Sequence, residues 1–523
     1  MKIILPTEQW KRCGNAWAKG FAFNADGSLL SACELAEYVS TSNSGADLFL
    51  RLQKLNGLYS VVINSPKLQA AAVDPSRNFP IFFRYIDGEA IVSDAPYVLR
   101  QANDKLDERA LAYYDSAGAV CEGFTLVEGL RQVKPGCLFS FGTETVAESQ
   151  FFTMAVRKDE VCALSENEFS DILDRVTQRF IRSLNGRQVV LPLTAGFDSR
   201  LIACLLHKAD YKDVVCYTIG TDNSREVKVA KTVAEKFGFK HLHIDVTNPL
   251  VAPLAVMTEA DFANYYRRLG AYGNFLWLYD YFAVRYLKEN RLVDADACFA
   301  PGHSGDSIAG SHLTKTVVGP NDSPRQLAKN ILLYNNEYGY RRELLAETEA
   351  WFDHLLKDGY LPYSAFQAYI FQNRQAHQIV NAARVYEHFG YELRMPLWDA
   401  ELMDAMRRLP FECYVNRSFY NACLQSLFFK PMGVAFDGDG ACVSNCVFKR
   451  QLFKKKLKHF LPNFILHYMT DLNGADGEYV LMQPLLKELL DNGVYASNTD
   501  CLSVNKTIRD WYLMKVKQDV NHI

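Results

Sequence analysis

Val189-Val190-Leu191-Pro192-Leu193-Thr194-Ala195-Gly196-Phe197-Asp198-Ser199-Arg200-Leu201-Ile202-Ala203 decides how this chain is read. The apolar run at its start reads as a buried strand. A tight Thr-Ala-Gly turn follows, then Asp-Ser, then an amphipathic helix over 200–208. A strand that turns sharply into a helix gathers free backbone N–H groups, a hydroxyl and a positive helix end at one point. That is a ready anion site, suited to the pyrophosphate part of a nucleotide. The Gly-Lys-Ser/Thr ending of a Walker A loop is absent.

Working outward, strands are expected over 188–193, 214–219, 241–246 and 297–300, with helices between them. This alternation predicts a parallel, doubly wound sheet whose strand-end loops hold the ligand. Residues 194–199 and 302–306 are two such loops. Beyond residue 320 the pattern is mostly helical. Residues 1–155 form a β-rich unit: short apolar strands at 58–63, 68–73, 81–83 and 90–92 are separated by Asn-Ser-Pro, Asp-Pro-Ser and Asp-Gly turns. Residues 156–160 read as a connector, and a second unit is expected over 165–523. No internal repeat or low-complexity tract is present.

The 523 residues allow two or more domains. Hydrophobic content of 49% against 22% charged excludes disorder. A net charge of −3 argues against a nucleic-acid partner held by bulk electrostatics. The 13 cysteines contain no C-x-x-C pair, and Cys442 and Cys446 lack the partners that would complete a zinc set. A reducing cytoplasm is the expected compartment. The first residues are too short an apolar run for a signal peptide, and no run reaches the ~18 apolar residues of a membrane span.

Asp198 carries the chemistry. A carboxylate beside a phosphate turn repels phosphate, so a Mg²⁺ ion is expected between them, and Mg²⁺ is rarely held by one carboxylate. Pro301-Gly302-His303-Ser304-Gly305-Asp306 supplies the second. Alone, Asp306 reads equally as a helix-capping aspartate; beside Asp198 it reads as a metal ligand. Glu226, in Asn223-Ser224-Arg225-Glu226, reads as part of a capping box with Asn223 as the cap. Ile219 and Gly220 close the second strand, where adenine would lie.

Thr194-Ala195-Gly196-Phe197-Asp198-Ser199 resembles the PP-loop of ATP pyrophosphatases, which cut ATP between its α and β phosphates. Five motifs follow in family order: that loop, Tyr217-Thr218-Ile219-Gly220, Ser224-x-Glu226-x-x-x-Ala230, Gly302-x-x-Gly305-Asp306, and Glu392-Leu393-Arg394-Met395-Pro396-Leu397-Trp398-Asp399. Together, over about 170–410, they resemble the asparagine synthetase family, which includes β-lactam synthetase and lasso-peptide cyclases. The resemblance implies a PP-loop ATP pyrophosphatase domain (adenine nucleotide α-hydrolase-like) with helical additions. It also implies that Leu191, Leu193, Ile219 and Gly302 line the nucleotide, that Thr194, Ala195, Gly196 and Ser199 cradle phosphate, that Asp198 and Asp306 hold Mg²⁺, and that Arg394 and Asp399 position the helical region.

The N-terminal unit resembles the family's class II glutamine amidotransferase domain, an Ntn-type αββα sandwich. The residues that carry this are Asn56-Gly57-Leu58-Tyr59, residues 72–83 and Ser93-Asp94. That domain uses an N-terminal cysteine as nucleophile. Here Lys2 holds the position, the Arg-Gly-Pro-Asp loop is missing, and Cys13 would require a cleaved propeptide. The expectation is a retained fold without glutaminase activity. In the synthetase half His303 stands where relatives carry Glu or Tyr. A histidine of near-neutral pKa suits a base for an attacking amine; the same residue reads equally as a loop histidine with a backbone hydrogen bond. Glu387 is a candidate to orient that base, or a helical partner of Arg384. The family's late lysine, which stabilises the leaving pyrophosphate, falls on Lys449, with Lys430 as the second candidate. The basic run around Lys449 and Lys454-Lys455-Lys456 reads as a solvated helix face.

The reading is therefore an ATP- and Mg²⁺-dependent, AMP-forming carbon–nitrogen ligase. It adenylates a small-molecule or peptide carboxylate and passes it to an amine. Alternatives are an asparagine synthetase or sugar-carboxylate amidotransferase fed by glutamine or ammonium, and a non-catalytic nucleotide-binding relative. A tRNA-modifying relative is disfavoured by charge. Neither a nucleic-acid nor a membrane partner is expected, and a homodimer is left open. The aromatic stretches 262–266 and 272–281 read as core before they read as a substrate pocket.

Overall fold

A computed structural model describes residues 1–245, 264–315, 317–439, 478–501 and 503–521. The N-terminal unit is built on two stacked sheets. The larger runs in the order β11 (Val146–Gln150), β10 (Cys137–Phe141), β6 (Gln69–Val73), β5 (Asn56–Asn64), β3 (Ala16–Phe23), β2 (Lys11–Cys13), with β4 (Leu29–Leu30) beside β3, all antiparallel. The smaller runs β1 (Lys2–Ile4), β8 (Glu89–Ser93), β7 (Phe82–Ile86), β9 (Arg131–Gln132).

The two-residue period of a strand sorts the side chains. On β5, Val62 enters the layer between the sheets with Phe83, Val92 and Phe139, whereas Tyr59, Val61 and Ile63 face the opposite way. That outer face is covered by Leu35, Ala36 and Val39 of α1 (Ala32–Ser40) and by Leu48 and Leu52 of α2 (Gly45–Leu52). The smaller sheet's outer face packs through Phe82 with Ala110 and Tyr114 of α3 (Glu108–Ala117). This is the expected αββα layering. Strand β3 was not anticipated, because Lys19 and Gly20 interrupt its apolar run; in the fold Lys19 is only 2% exposed.

The second unit opens with α4 (Glu166–Leu184), whose Ser165 and Glu168 form a capping box. Its sheet is all parallel, in the order β14 (Lys240–Ile244), β13 (Val214–Ile219), β12 (Val189–Pro192), β15 (Cys298–Phe299), β16 (Glu392–Leu393). Strands covered on both faces need continuous apolar runs, which is how Val189 to Leu191 and Val214 to Tyr217 read. The strand order reverses between β12 and β15, so their following loops part there and leave a crevice beyond the strand ends. α5 (Phe197–Lys208) follows β12 and α6 (Arg225–Phe237) follows β13.

The two units share one apolar core, in which Phe82, Leu99 and Tyr114 join Leu173, Leu191 and Phe299. The expected connector at 156–160 is correspondingly anchored: the Val156 N–H donates to Ser364 Oγ at 3.0 Å, and its carbonyl accepts from the same hydroxyl. Among the described residues no helix is long and apolar enough to cross a membrane.

Candidate nucleotide and acid-pair site

β12 delivers the chain into the turn at residues 194–199. Gly196 is the N-cap of α5 and carries no capping side chain, so the first amides of the helix are left for an outside acceptor. The turn is braced from within. Thr194 N–H donates to Ser199 Oγ at 3.1 Å, and Gly196 N–H donates to Thr194 Oγ1 at 3.0 Å. Ala195 N–H donates to a Glu226 carboxylate oxygen at 2.5 Å, while its carbonyl accepts from the wholly buried Arg200. Arg200 also pairs with Asp439 and donates to the Val434 carbonyl at 3.0 Å. Arg200 thereby ties the turn to a segment more than two hundred residues away.

Asp198, in the first turn of α5, meets the loop after β15. The Asp306 N–H donates to Asp198 Oδ2 at 2.8 Å, and the hydroxyl of buried Tyr420 donates to Oδ1 at 3.0 Å. Two glycines allow this approach. A Cβ at Gly302 would lie 2.6 Å from the Ser199 nitrogen, and one at Gly305 would lie 2.7 Å from Asp198 Cγ. Burial and the charge of Asp306 push the Asp198 carboxyl up to about 7, against the pull of the Asp306 amide, Tyr420 and Arg417. Two carboxylates held together this way favour a cation between them. Their hard oxygen donors suit Mg²⁺, with phosphate oxygens and water supplying the remaining positions. Among the described residues no cluster of three or more His, Cys, Asp or Glu forms a protein-only metal cage.

Several expected site residues are placed differently. His303 lies in the same loop, but burial pulls it down to about 4 instead of leaving it near neutral, and its Nδ1 has no partner. The side chains of Leu191 and Leu193 are fully buried in the core, so only their backbone could meet a nucleotide. Ile219 is half-buried and Gly220 takes φ +147° at the end of β13. Glu226 is not in a capping box. Ser224, not Asn223, caps α6 by accepting from the Val227 N–H, and Glu226 is thereby free to reach the turn.

Glu387 cannot orient His303. It is held by Lys19 at 2.5 Å and Arg384 at 3.3 Å, whose charges pull it down to about 2 in spite of burial. It lines a cavity of about 660 Å³ with Asn185, Arg187 and Glu392, which precede or begin β12 and β16. That is the end of the sheet opposite the phosphate turn. Lys430 is exposed at a helix end, because Phe428 and Phe429 form the buried face there. Lys449 and the basic run lie outside the described residues. Of the aromatic stretches, Tyr265, Tyr266, Tyr272 and Tyr281 are core.

Arg394 and Asp399 hold the helical region and also touch the N-terminal unit: Arg394 donates to the Ser183 carbonyl of α4 at 2.9 Å, and Asp399 caps the helix Ala400–Arg407 by accepting from the Glu401 and Leu402 N–H groups. Arg394 sits over the Phe21 ring at 4.3 Å. Asp399 accepts from Arg179 at 2.7 and 2.8 Å and from Asn56 Nδ2 at 2.9 Å. Asn56 Oδ1 in turn accepts from the Ala400 N–H. Asp94 accepts from Thr7 and from Trp10 Nε1, the latter at 2.8 Å. Cys13 is half-buried in β2, at the edge of its sheet. Arg200 and Tyr420 were not legible as site residues in the sequence, because Asp439 and Asp198, the carboxylates they reach, lie more than two hundred residues from them along the chain.

A family model described as asparagine synthase matches residues 178–467. Curated relatives include glutamine-hydrolysing GMP synthases. That of Bordetella avium is 26% identical over 123 residues, 23% of this chain and 23% of that protein. That of Shewanella sp. strain MR-7 is 30% identical over 106 residues, 20% of each. The match thus spans about a fifth to a quarter of those relatives' length. Similar solved structures include an ammonia-dependent NAD synthetase from Campylobacter jejuni in complex with nitrate, with 13% identity and a TM-score of 0.20, covering 38% of this chain and 85% of that one. Another is the U34-tRNA thiolase NcsA from Methanococcus maripaludis with its 4Fe-4S cluster, with 13% identity and a TM-score of 0.19, covering 42% and 80%.

Proposed function

The chain belongs to the asparagine synthase family, and on that premise we propose that it joins a carboxylate to an amine through an acyl-adenylate, releasing AMP and pyrophosphate. The family makes it an ATP-using ligase or amidotransferase. The observation that carries the finer reading is the meeting of Asp198 with the loop of Asp306, let in by Gly302 and Gly305 beside the uncapped start of α5. Held by Asp198 and Asp306, Mg²⁺ would neutralise charge on the triphosphate.

The chain's own residues divide the remaining work. The amides at the start of α5 and the hydroxyls of Thr194 and Ser199 grip phosphate oxygens. A substrate carboxylate oxygen attacks the α-phosphorus, and pyrophosphate leaves with the electron pair of the broken bond. An amine nitrogen then attacks the acyl carbon, AMP leaves, and the nitrogen gives up a proton. His303 is the acceptor offered by this loop. Burial keeps it unprotonated, and arriving phosphate charge raises its proton affinity toward the useful range. Tyr420 steadies Asp198 by its hydrogen bond.

Glutamine is not the nitrogen source in this proposal. The residues matching the amidotransferase motifs have other partners: Asn56 is committed to Asp399 and Ala400, and Asp94 to Thr7 and Trp10. The N-terminal unit serves as a wall of the synthetase unit, joined to it through Asn56–Asp399 and Lys19–Glu387.

The test is turnover of α-32P-labelled ATP with Mg²⁺ across a panel of carboxylates, with ammonium and amines added separately. AMP release that depends on one carboxylate is the expected result. ADP as product, or AMP release driven equally well by glutamine, would refute the corresponding part of the reading.

A further inference from the structure

A cavity that shares no residue with the Asp198 site opens at one edge of the N-terminal sandwich. It encloses about 680 Å³, within the range of small-molecule sites, which favour the boundaries between domains. Strands β9 and β11, each the last of its sheet, form the rim. The helix Leu345–Lys357 of the second unit closes the other side with Glu347 and Trp351. The walls are aromatic, with Tyr85, Phe124 and Trp351 among them. Trp351 is held edge-on against Phe352 and Tyr369, whose ring centroids are both 5.1 Å from its own. The Tyr85 hydroxyl donates to the Gly142 carbonyl at 3.2 Å and so fixes the turn that carries Glu144.

The charges on these walls sort into pairs and leave one of each sign over. Arg109 Nε donates to Glu347 at 2.7 Å. Lys134 pairs with Glu148 at 2.6 Å and with Glu122 at 3.4 Å. Among the described residues no carboxylate pairs with Arg131 and no cation pairs with Glu144, and both line the cavity. Arg131 is half-buried and lies over the Phe124 ring at 4.0 Å, with Arg109 over the same ring at 4.5 Å. Stacking orients the guanidinium plane and leaves its N–H edge for an acceptor. A half-buried cation without an acceptor has lost hydration that a bound anion would replace.

We propose that this cavity binds a zwitterion with an aromatic body, of the size and charge of an aromatic amino acid. The ligand's carboxylate accepts from the Arg131 fork, its ammonium donates to Glu144, and its ring lies against Tyr85 and Trp351. A carboxylate fits one guanidinium bidentately. A ligand of single charge leaves Arg131 or Glu144 unmatched, and a polyanion such as phosphate meets four glutamates, at 122, 144, 148 and 347. The site stands independently of the AMP-forming reading, and a molecule bound there touches both units.

The experiment is titration calorimetry of the full chain as wild type, Arg131→Gln and Glu144→Gln. The probes are L-phenylalanine, 3-phenylpropionate (no ammonium), phenethylamine (no carboxylate) and L-glutamine (no ring). Loss of a charged hydrogen bond predicts about 10-fold weaker binding. Arg131→Gln should weaken phenylalanine and phenylpropionate by that factor and leave phenethylamine unchanged. Glu144→Gln should weaken phenylalanine and phenethylamine and leave phenylpropionate unchanged. L-Glutamine should bind the wild type about 10-fold more weakly than L-phenylalanine, because it offers the walls no ring. Neither substitution breaks an ion pair of the described structure, so both thermal midpoints should stay close to that of the wild type. No saturable heat with L-phenylalanine overturns the site. Equal weakening of all the probes by Arg131→Gln, with a fall in its thermal midpoint, also overturns it, because Arg131 would then only hold the fold. Equal affinity for glutamine and phenylalanine overturns the aromatic assignment.

Discussion

Replacing Asp198 by Asn should remove catalysis and yet stabilise the metal-free protein, by an amount that depends on pH. The carboxyl is raised from 3.8 to about 7 by burial and by Asp306. A shift of about three units, at 1.36 kcal/mol each, amounts to about 4 kcal/mol. Part of Asp198 is open to solvent, which screens the interaction, and about half that figure, ~2 kcal/mol, is the expected effect. The sign follows from linkage. Because the folded pKa exceeds the unfolded one, folding is favoured most below pH 4, and stability is lost as pH rises from 4 through 7. Asparagine carries no charge, and its amide can accept from the Asp306 N–H and donate to the Tyr420 oxygen. In EDTA at pH 8 Asp198→Asn should therefore unfold at a higher temperature than the wild type, and at pH 5 the advantage should shrink to about a third. Adding Mg²⁺ at pH 8 should raise the wild-type midpoint and leave the variant unmoved. Scanning calorimetry at the two pH values, with and without Mg²⁺, decides it. A variant less stable than the wild type in EDTA at pH 8, or an offset that ignores pH, refutes the idea that Asp198 and Asp306 are held in mutual repulsion for a cation.

Other consequences are open to measurement. Gly305→Ala places a methyl group 2.7 Å from Asp198 Cγ and 2.7 Å from Leu397 Cδ1; overpacking of about 1–3 kcal/mol should push the loop off Asp198, raising the Mg²⁺ concentration needed for half-maximal ATP turnover by about 10-fold or more, and an unchanged requirement would show that the loop need not close. Arg200→Met leaves the buried Asp439 carboxylate with only the exposed Arg225 at 3.6 Å as a cation and the Ala195 carbonyl without its donor, so stability should drop by about 3 kcal/mol in denaturant melts, with weaker ATP binding in calorimetry. Glu387→Gln tests the junction between the units. The glutamate is drawn from 4.5 to about 2, so its stabilisation of about 3 kcal/mol is fully present above pH 4.5 and disappears as pH falls toward 2; the two proteins' melting curves should converge over that window, and a gap that persists at pH 2.5 would assign the loss to packing.

The strand–turn–helix at 189–208 was legible because its cause is local. An apolar run, a glycine at the turn and an amphipathic helix fix the phosphate turn wherever the rest of the chain goes. The parallel sheet followed from the same kind of pattern, whereas the close approach of Gly302 and Gly305 to Ser199 and Asp198 emerged only in the fold. The lysine expected at the pyrophosphate was sought by distance along the chain; of the two candidates Lys430 is exposed at a helix end, and Lys449 lies outside the described residues. Glu387 was read as an orienting residue from its spacing to Arg384. The helical pairing is real, but Lys19, 368 residues earlier, claims the same carboxylate.

What the sequence determined by itself is thus the chemistry carried by contiguous residues: the anion-binding turn, the two carboxylates at strand ends, and the continuous apolar runs of the buried parallel strands. Only the tertiary structure decided which distant groups complete that site. Tyr420 reaches Asp198 across more than two hundred residues, Asn56 is drawn into contact with Asp399, and Asp94 into contact with Thr7 and Trp10. The physical reason is that hydrogen bonds and ion pairs act over a few ångströms of space, while the pattern that a sequence displays is set by the periodicity of its own helices and strands.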